Sequence, residues 1–129
     1  MTQKDEQLFK DLSARLPYHV IVKVWLKDGT TEEGSLDLEH NYGNVLQDAF
    51  YFGKVKEIKP YLRPMSSMTK EEYEELKSIS SYYGFAPYEY IDDWCPNYEM
   101  IDWLNKHHFD YRNLIEKGLA LKAPKGMYK

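Results

Sequence analysis

Apolar side chains recur along this chain with two different periods, and the change of period divides it. Leu8, Leu12 and Leu16 fall four residues apart with Phe9 beside them, while Lys and Asp take the other face. Gln3 to about Arg15 is therefore expected as a short amphipathic helix, which Pro17 ends. From Tyr18 to Lys27 the period becomes two: Val20, Val22, Val24 and Leu26 alternate with His19, Ile21, Lys23 and Trp25, the pattern of a half-buried strand. Asp28-Gly29 tolerates the positive backbone angles of a two-residue hairpin turn, and Thr30 to Glu39 returns with Leu36 and Leu38 on one face. Gly34 inside the return strand predicts a bulge or bend. After a turn at Asn41-Tyr42-Gly43-Asn44, Val45 to Phe52 and Val55 to Ile58 offer one or two further short strands, and Pro60 and Pro64 stop the pattern.

Beyond Pro64 the period is helical. Thr69 and Glu72 have the spacing of a capping box, and Met68 and Tyr73 that of a hydrophobic staple, so a helix should start here. Its stripe of Tyr73, Leu76, Ile79 and Tyr83 runs to Gly84, where it should stop. Phe85 to Asn97, with Pro87 and Pro96, reads as a packed aromatic loop. A second helix is expected from about Pro96 to Tyr98 through Met100, Ile101, Trp103 and Leu104 to His107. A third, short one follows, with Asp110 as its cap, Phe109 and Leu114 as its staple and Gly118 as its end.

These elements predict an α+β fold. An N-terminal helix and a small curled antiparallel β-sheet or SH3-like barrel occupy residues 1–64, and a three-helix subdomain occupies 65–129, the two forming one compact domain.

Composition changes little in that picture. Hydrophobic residues make up 43% and charged residues 29%, values of a chain that folds rather than one that stays disordered. There is no run of about 18 apolar residues, and the start Met1-Thr2-Gln3-Lys4-Asp5-Glu6 is polar, so a cytoplasmic protein with no membrane partner is expected. The single cysteine, Cys95, has no internal disulfide partner and leaves any metal to histidine and carboxylate. The net charge of −4 argues against nucleic acid as the main partner without excluding a local basic patch. Aromatic content is 16%, with twelve tyrosines, residues that serve cores and binding surfaces alike. An edge strand and tyrosine-rich surfaces leave a homodimer open.

Candidate chemistry gathers near the C-terminal end. His107, His108, Asp110, Tyr111 and Arg112 could form a metal site or a general base held by a carboxylate. Adjacent histidines lack the four-residue spacing that puts two imidazoles on one helical face, so a helix end and a cap account for them better. Cys95 beside Trp94 reads as a small buried hydrophobe rather than a nucleophile. Asp92, Asp93, Glu89, Glu99 and Asp102 are dense in charge but lack the glycine bend of a hard-cation loop. Trp25, Lys54, Lys56, Lys59, Tyr61 and Arg63 interleave aromatic and basic groups, as nucleic-acid-binding barrels do, although a lysine-guarded edge strand gives the same pattern. No catalytic residue, metal ligand or cofactor is assigned from the sequence.

Two strings carry a resemblance. Ile58-Lys59-Pro60-Tyr61-Leu62-Arg63-Pro64-Met65-Ser66-Ser67-Met68-Thr69, and Trp103-Leu104-Asn105 through His107-His108-Phe109-Asp110-Tyr111-Arg112 to Leu114-Ile115-Glu116-Lys117-Gly118-Leu119-Ala120, resemble a family of small proteins encoded in gut bacteria and their phages and prophages. The resemblance implies a mobile-element setting and brings no activity with it. Asn113 stands where that family is expected to carry glycine, a change that a helix interior tolerates.

The functional expectation is a non-enzymatic phage- or prophage-type accessory protein that binds an unknown protein partner through the exposed face of the β unit. The alternatives are a nucleic-acid-associated module using Lys54, Lys56, Lys59, Tyr61 and Arg63, and a small metal-dependent or hydrolytic enzyme built on His107, His108 and Asp110.

Overall fold

The computed structural model describes residues 2–36, 55–80 and 98–128, and every structural statement below concerns these. Helix α1 spans Gln3–Arg15. Thr2 caps it reciprocally: its hydroxyl accepts from the Asp5 amide at 3.1 Å, and its own amide donates to the Asp5 carboxylate at 3.2 Å. Leu8 and Leu12 are buried as the leucine spacing requires. Asp11, expected on the opposite, polar face, is buried with them, and so is Arg15.

A 3-10 turn over Leu16–Tyr18 and a left-handed His19 (φ 59°) lead into β1, Val20–Leu26. Val20, Val22 and Val24 face the core. The hairpin loop is longer than expected. The Leu26 amide donates to the Thr30 carbonyl at 2.9 Å and the Gly29 amide to the Leu26 carbonyl at 3.1 Å, giving a three-residue loop, Lys27-Asp28-Gly29, with Gly29 at φ 91°. The Asp28 carboxylate fixes it by accepting from both the amide and the hydroxyl of Thr30.

β2 spans Thr31–Leu36 and β3 spans Val55–Leu62. Gly34 lies in regular register opposite Val22. The irregularity instead falls in β1 between Trp25 and Leu26, which pair with Glu57 and Val55. β3 runs straight through the buried Pro60, where the sequence had predicted a stop. The fourth strand, β4 (Leu121–Lys122), pairs with β3 only from Tyr61 onward, so Pro60 faces no described ladder partner on that side and its missing N–H costs nothing there. The order is β2-β1-β3-β4. β4 is parallel to β3, so the sheet is mixed rather than antiparallel, and among the described residues it is open.

Helix α2 spans Lys70–Ser80 and α3 spans Tyr98–Lys106. The Thr69–Glu72 capping box is formed: the Glu72 amide donates to the Thr69 hydroxyl at 3.2 Å, and the Thr69 amide donates to the Glu72 carboxylate at 3.0 Å. The expected third helix of the C-terminal half is absent. Asn113 takes a left-handed conformation (φ 62°) that interrupts it, and what remains is one helical turn closed at Gly118 (φ 76°). That closure is a Schellman motif, with Leu119 N–H on the Leu114 carbonyl and Gly118 N–H on the Ile115 carbonyl. Asparagine is the residue after glycine that adopts this conformation most readily, so Asn113 stands at a turn and not in a helix interior.

Two apolar clusters hold these pieces. One joins Leu8 and Leu12 of α1, the inner face of the sheet, Leu114 and Ala120. The other joins Met65, Met68, Leu76, Met100, Trp103, Leu104 and Phe109 between α2, α3 and the strap that leaves β3. The expected turn at Asn41-Gly43, the strand Val45 to Phe52, the stop at Gly84 and the loop Phe85 to Asn97 lie outside the described residues.

Candidate functional site

The end of α3 sets the geometry. The Phe109 amide donates to the Leu104 carbonyl and the His108 amide to the Asn105 carbonyl, a second Schellman motif in which His108 takes the left-handed position (φ 64°) usually given to glycine. Its ring is buried and stacks on Tyr128, with centroids 3.7 Å apart. Burial, reinforced by Arg15, His107 and Arg63, brings the His108 imidazole down to about 3, so it is neutral at neutral pH, and its Nδ1 has no partner. His107 packs elsewhere, tilted against Trp103 at 4.2 Å, and burial lowers it too against the pull of Glu75 and Glu72. The two imidazoles thus have different neighbours.

Asp110 is occupied by backbone. Its two oxygens accept from the amides of Leu114 at 2.8 Å and Ile115 at 2.9 Å, and burial raises its pKa against those bonds. The cap foreseen for a helix therefore serves a turn. Tyr111 donates to Asn105 Oδ1 at 3.0 Å, and Arg112 donates to the Tyr111 hydroxyl at 3.3 Å. Arg112 Nε also lies 3.4 Å from Asp11, whose carboxylate holds Arg15 at 2.8 and 3.1 Å. Arg15 Nη2 in turn donates to the Phe109 carbonyl at 2.7 Å. The Asp11–Arg15 pair was legible only as an i,i+4 spacing on the same side as Leu8 and Leu12.

The basic and aromatic candidates of the β unit do not form one patch. Trp25 lies on the outer sheet face with the Lys23 and Lys59 ammonium groups 5.2 and 5.8 Å from its ring. Lys59 also pairs with Glu57 at 3.2 Å, and Tyr61 donates to Glu33 at 2.9 Å. Lys56 is exposed, and Lys54 lies outside the described residues. Arg63 turns to the C-terminal half, where its guanidinium grips Glu72 bidentately at 2.6 and 2.7 Å and covers the Phe109 ring at 4.1 Å. Its backbone is tied as well, its amide donating to the His108 carbonyl and its carbonyl accepting from the Asp110 amide. Burial works to raise the Glu72 carboxyl, but the Arg63 and Thr69 bonds hold it down to about 2.

Around this junction opens a cleft of about 990 Å³, between the start of β1, the end of α3 and residues 122–128. Its walls include Tyr18, His19, His107, His108 and Tyr128, so three of the chain's four histidines line it. Lys106, Lys122 and Lys125 stand exposed along it and form no ion pair among the described residues. Among the described residues the one carboxylate in the wall is Glu72, which Arg63 already occupies. Tyr128 closes one end through its hydroxyl, which accepts from the Ile21 amide at 2.8 Å and donates to the Tyr61 carbonyl at 2.8 Å. It thereby replaces the ladder bond that β1 and β3 would make one residue beyond the Val22–Pro60 pair. Burial pushes its phenol up to about 12.

Sequence reading had missed the three lysines because α3, β4 and a turn each supply one. The available signal was the stretch 117–129, which holds four lysines and no acidic side chain. Among the described residues no group of three His, Cys, Asp or Glu side chains could hold a metal ion, and Glu99 and Asp102 are separately exposed on α3. Cys95, Glu89, Asp92 and Asp93 lie outside the described residues. No described helix is long and apolar enough to cross a membrane. No protein-family model, curated protein or solved structure matches the chain.

Proposed function

We propose that this chain is a non-enzymatic binding module, of the phage- or prophage-accessory kind its two strings suggest, and that the basic cleft takes its partner. The observation that carries this is the convergence of Lys106, Lys122 and Lys125 on one concavity whose single carboxylate among the described residues is already neutralised. A binding role fits the histidines better than a catalytic one, because Asp110 spends both oxygens on backbone amides and His108 is held neutral against Tyr128. The outer sheet face supports the role less well than the sequence implied, since Trp25, Lys59 and Tyr61 already engage Lys23, Glu57 and Glu33 or one another.

Affinity capture from a gut-bacterial lysate tests it. The same partner should be retained by Lys56→Glu, an exposed charge reversal away from the cleft, and lost by the charge reversals Lys122→Glu and Lys125→Glu together. Capture that survives the reversals removes the cleft as the site. Turnover of a small-molecule library that His107→Ala abolishes removes the non-enzymatic reading.

A further inference from the structure

We infer that the cleft's ligand is a chain of phosphates carrying a planar group, as in a nucleotide; this deepens the proposed function and rests on the cleft being the binding site. The chain as a whole has a net charge of −4, so with Lys106, Lys122 and Lys125 set aside the remainder carries −7. An acidic protein that keeps three uncompensated ammonium groups together concentrates anions there against its overall field. Lys106 has a structural reason for its place, the last turn of α3, where a cation is favoured. Lys122 and Lys125 have none.

The kind of cation narrows the kind of anion. A lone carboxylate is best met by the fork of a guanidinium, and the one guanidinium that the described residues bring to the wall, Arg63, is already bonded to Glu72. Lysines offer separate point charges, which suit the spread oxygens of a phosphate chain. The volume of about 990 Å³ is at the upper end for small-molecule sites and far exceeds a single ion. The half-buried Tyr18 and Met127 supply apolar wall beside the charges, enough to seat a ring.

Titration calorimetry of the whole chain with inorganic tripolyphosphate and with adenosine triphosphate, at about 50 mM salt, decides the matter. Saturable binding of both is expected, weakening roughly tenfold or more by about 200 mM salt as the exposed charges are screened. Lys122→Gln with Lys125→Gln, both at exposed positions and so compatible with the fold, should lose roughly tenfold or more in affinity for each ligand. Tyr18→Ala should erase the advantage of the nucleotide over tripolyphosphate. No binding by the unaltered chain, or binding that the double lysine variant keeps, overturns the inference. A short oligothymidylate that binds tenfold more tightly than the nucleotide overturns the free-nucleotide form in favour of a nucleic-acid backbone. If neither phosphate ligand binds while lysine-dependent capture from lysate persists, the ligand class falls and the binding site stands.

Discussion

Removing the Asp11 carboxylate is the sharpest test of how this fold is held. Asp11 and Arg15 have no solvent exposure, and Arg15 spends Nε and Nη2 on Asp11 and Nη2 again on the Phe109 carbonyl. Its Nη1 already lacks a partner. In Asp11→Ala the guanidinium keeps one carbonyl and loses its counter-charge, and leaving one member of a buried pair unpaired costs about 3–5 kcal/mol. Arg112 aggravates the loss: its Nε is 3.4 Å from Asp11, and both guanidiniums flank the Tyr111 ring at 5.4 and 5.3 Å. Both cations then lose the carboxylate they share. Against a total stability of about 5–15 kcal/mol, this removes a large share. Replacing both members, Asp11→Leu with Arg15→Met, removes the buried pair as a unit and should cost only about 1–2 kcal/mol, mainly for the lost bond to Phe109. Urea denaturation followed by circular dichroism measures both. The reasoning fails if Asp11→Ala costs less than about 1 kcal/mol, or if the double variant is as unstable as the single one.

Two further outcomes follow from the same geometry. Tyr128→Phe keeps the ring on His108 but strips the hydroxyl from the Ile21 amide and the Tyr61 carbonyl; it should cost about 1–3 kcal/mol and speed hydrogen exchange at Ile21, and unchanged exchange there would exclude the splice. Stability should also fall on acidification. His108 titrates at about 3 folded and 6.5 unfolded, so between these values the unfolded chain binds the extra proton and stability drops by about 1.4 kcal/mol per pH unit. Glu72, held down to about 2 from 4.5, adds a contribution that is complete above pH 4.5 and lost below it. His108→Asn, which tolerates the left-handed backbone, should flatten the profile between pH 6.5 and 4.5; an unchanged slope in a melting series would show that another group governs it.

What could be read from the sequence was what is local. The alternation of Val20, Val22 and Val24, the Thr69–Glu72 box and the stop at Gly118 each depend on a few neighbouring residues, and each is formed. The misreadings share a cause in distant partners or in one backbone angle. Pro60 stays in β3 because of where β4 begins, and Asp11 is buried because Arg15 and the Phe109 carbonyl come to meet it. Asn113 turned a predicted helix into a single turn by one positive φ, which residue type permits but does not dictate. The His107 to Arg112 cluster was visible as chemistry, yet the cleft beside it was not, since its lysines come from three elements.

The Tyr128 hydroxyl has a consequence for the order of folding. Its bond to Ile21 spans 107 residues and that of Arg15 to Phe109 spans 94, so the first helix and first strand are fastened by the last part of the chain. Closing such long loops is entropically late and slow compared with forming the hairpin or α2. During synthesis on the ribosome, α1 would therefore present its Asp–Arg pair to water until Phe109 has emerged, and the cleft could not exist before Tyr128 had joined its walls.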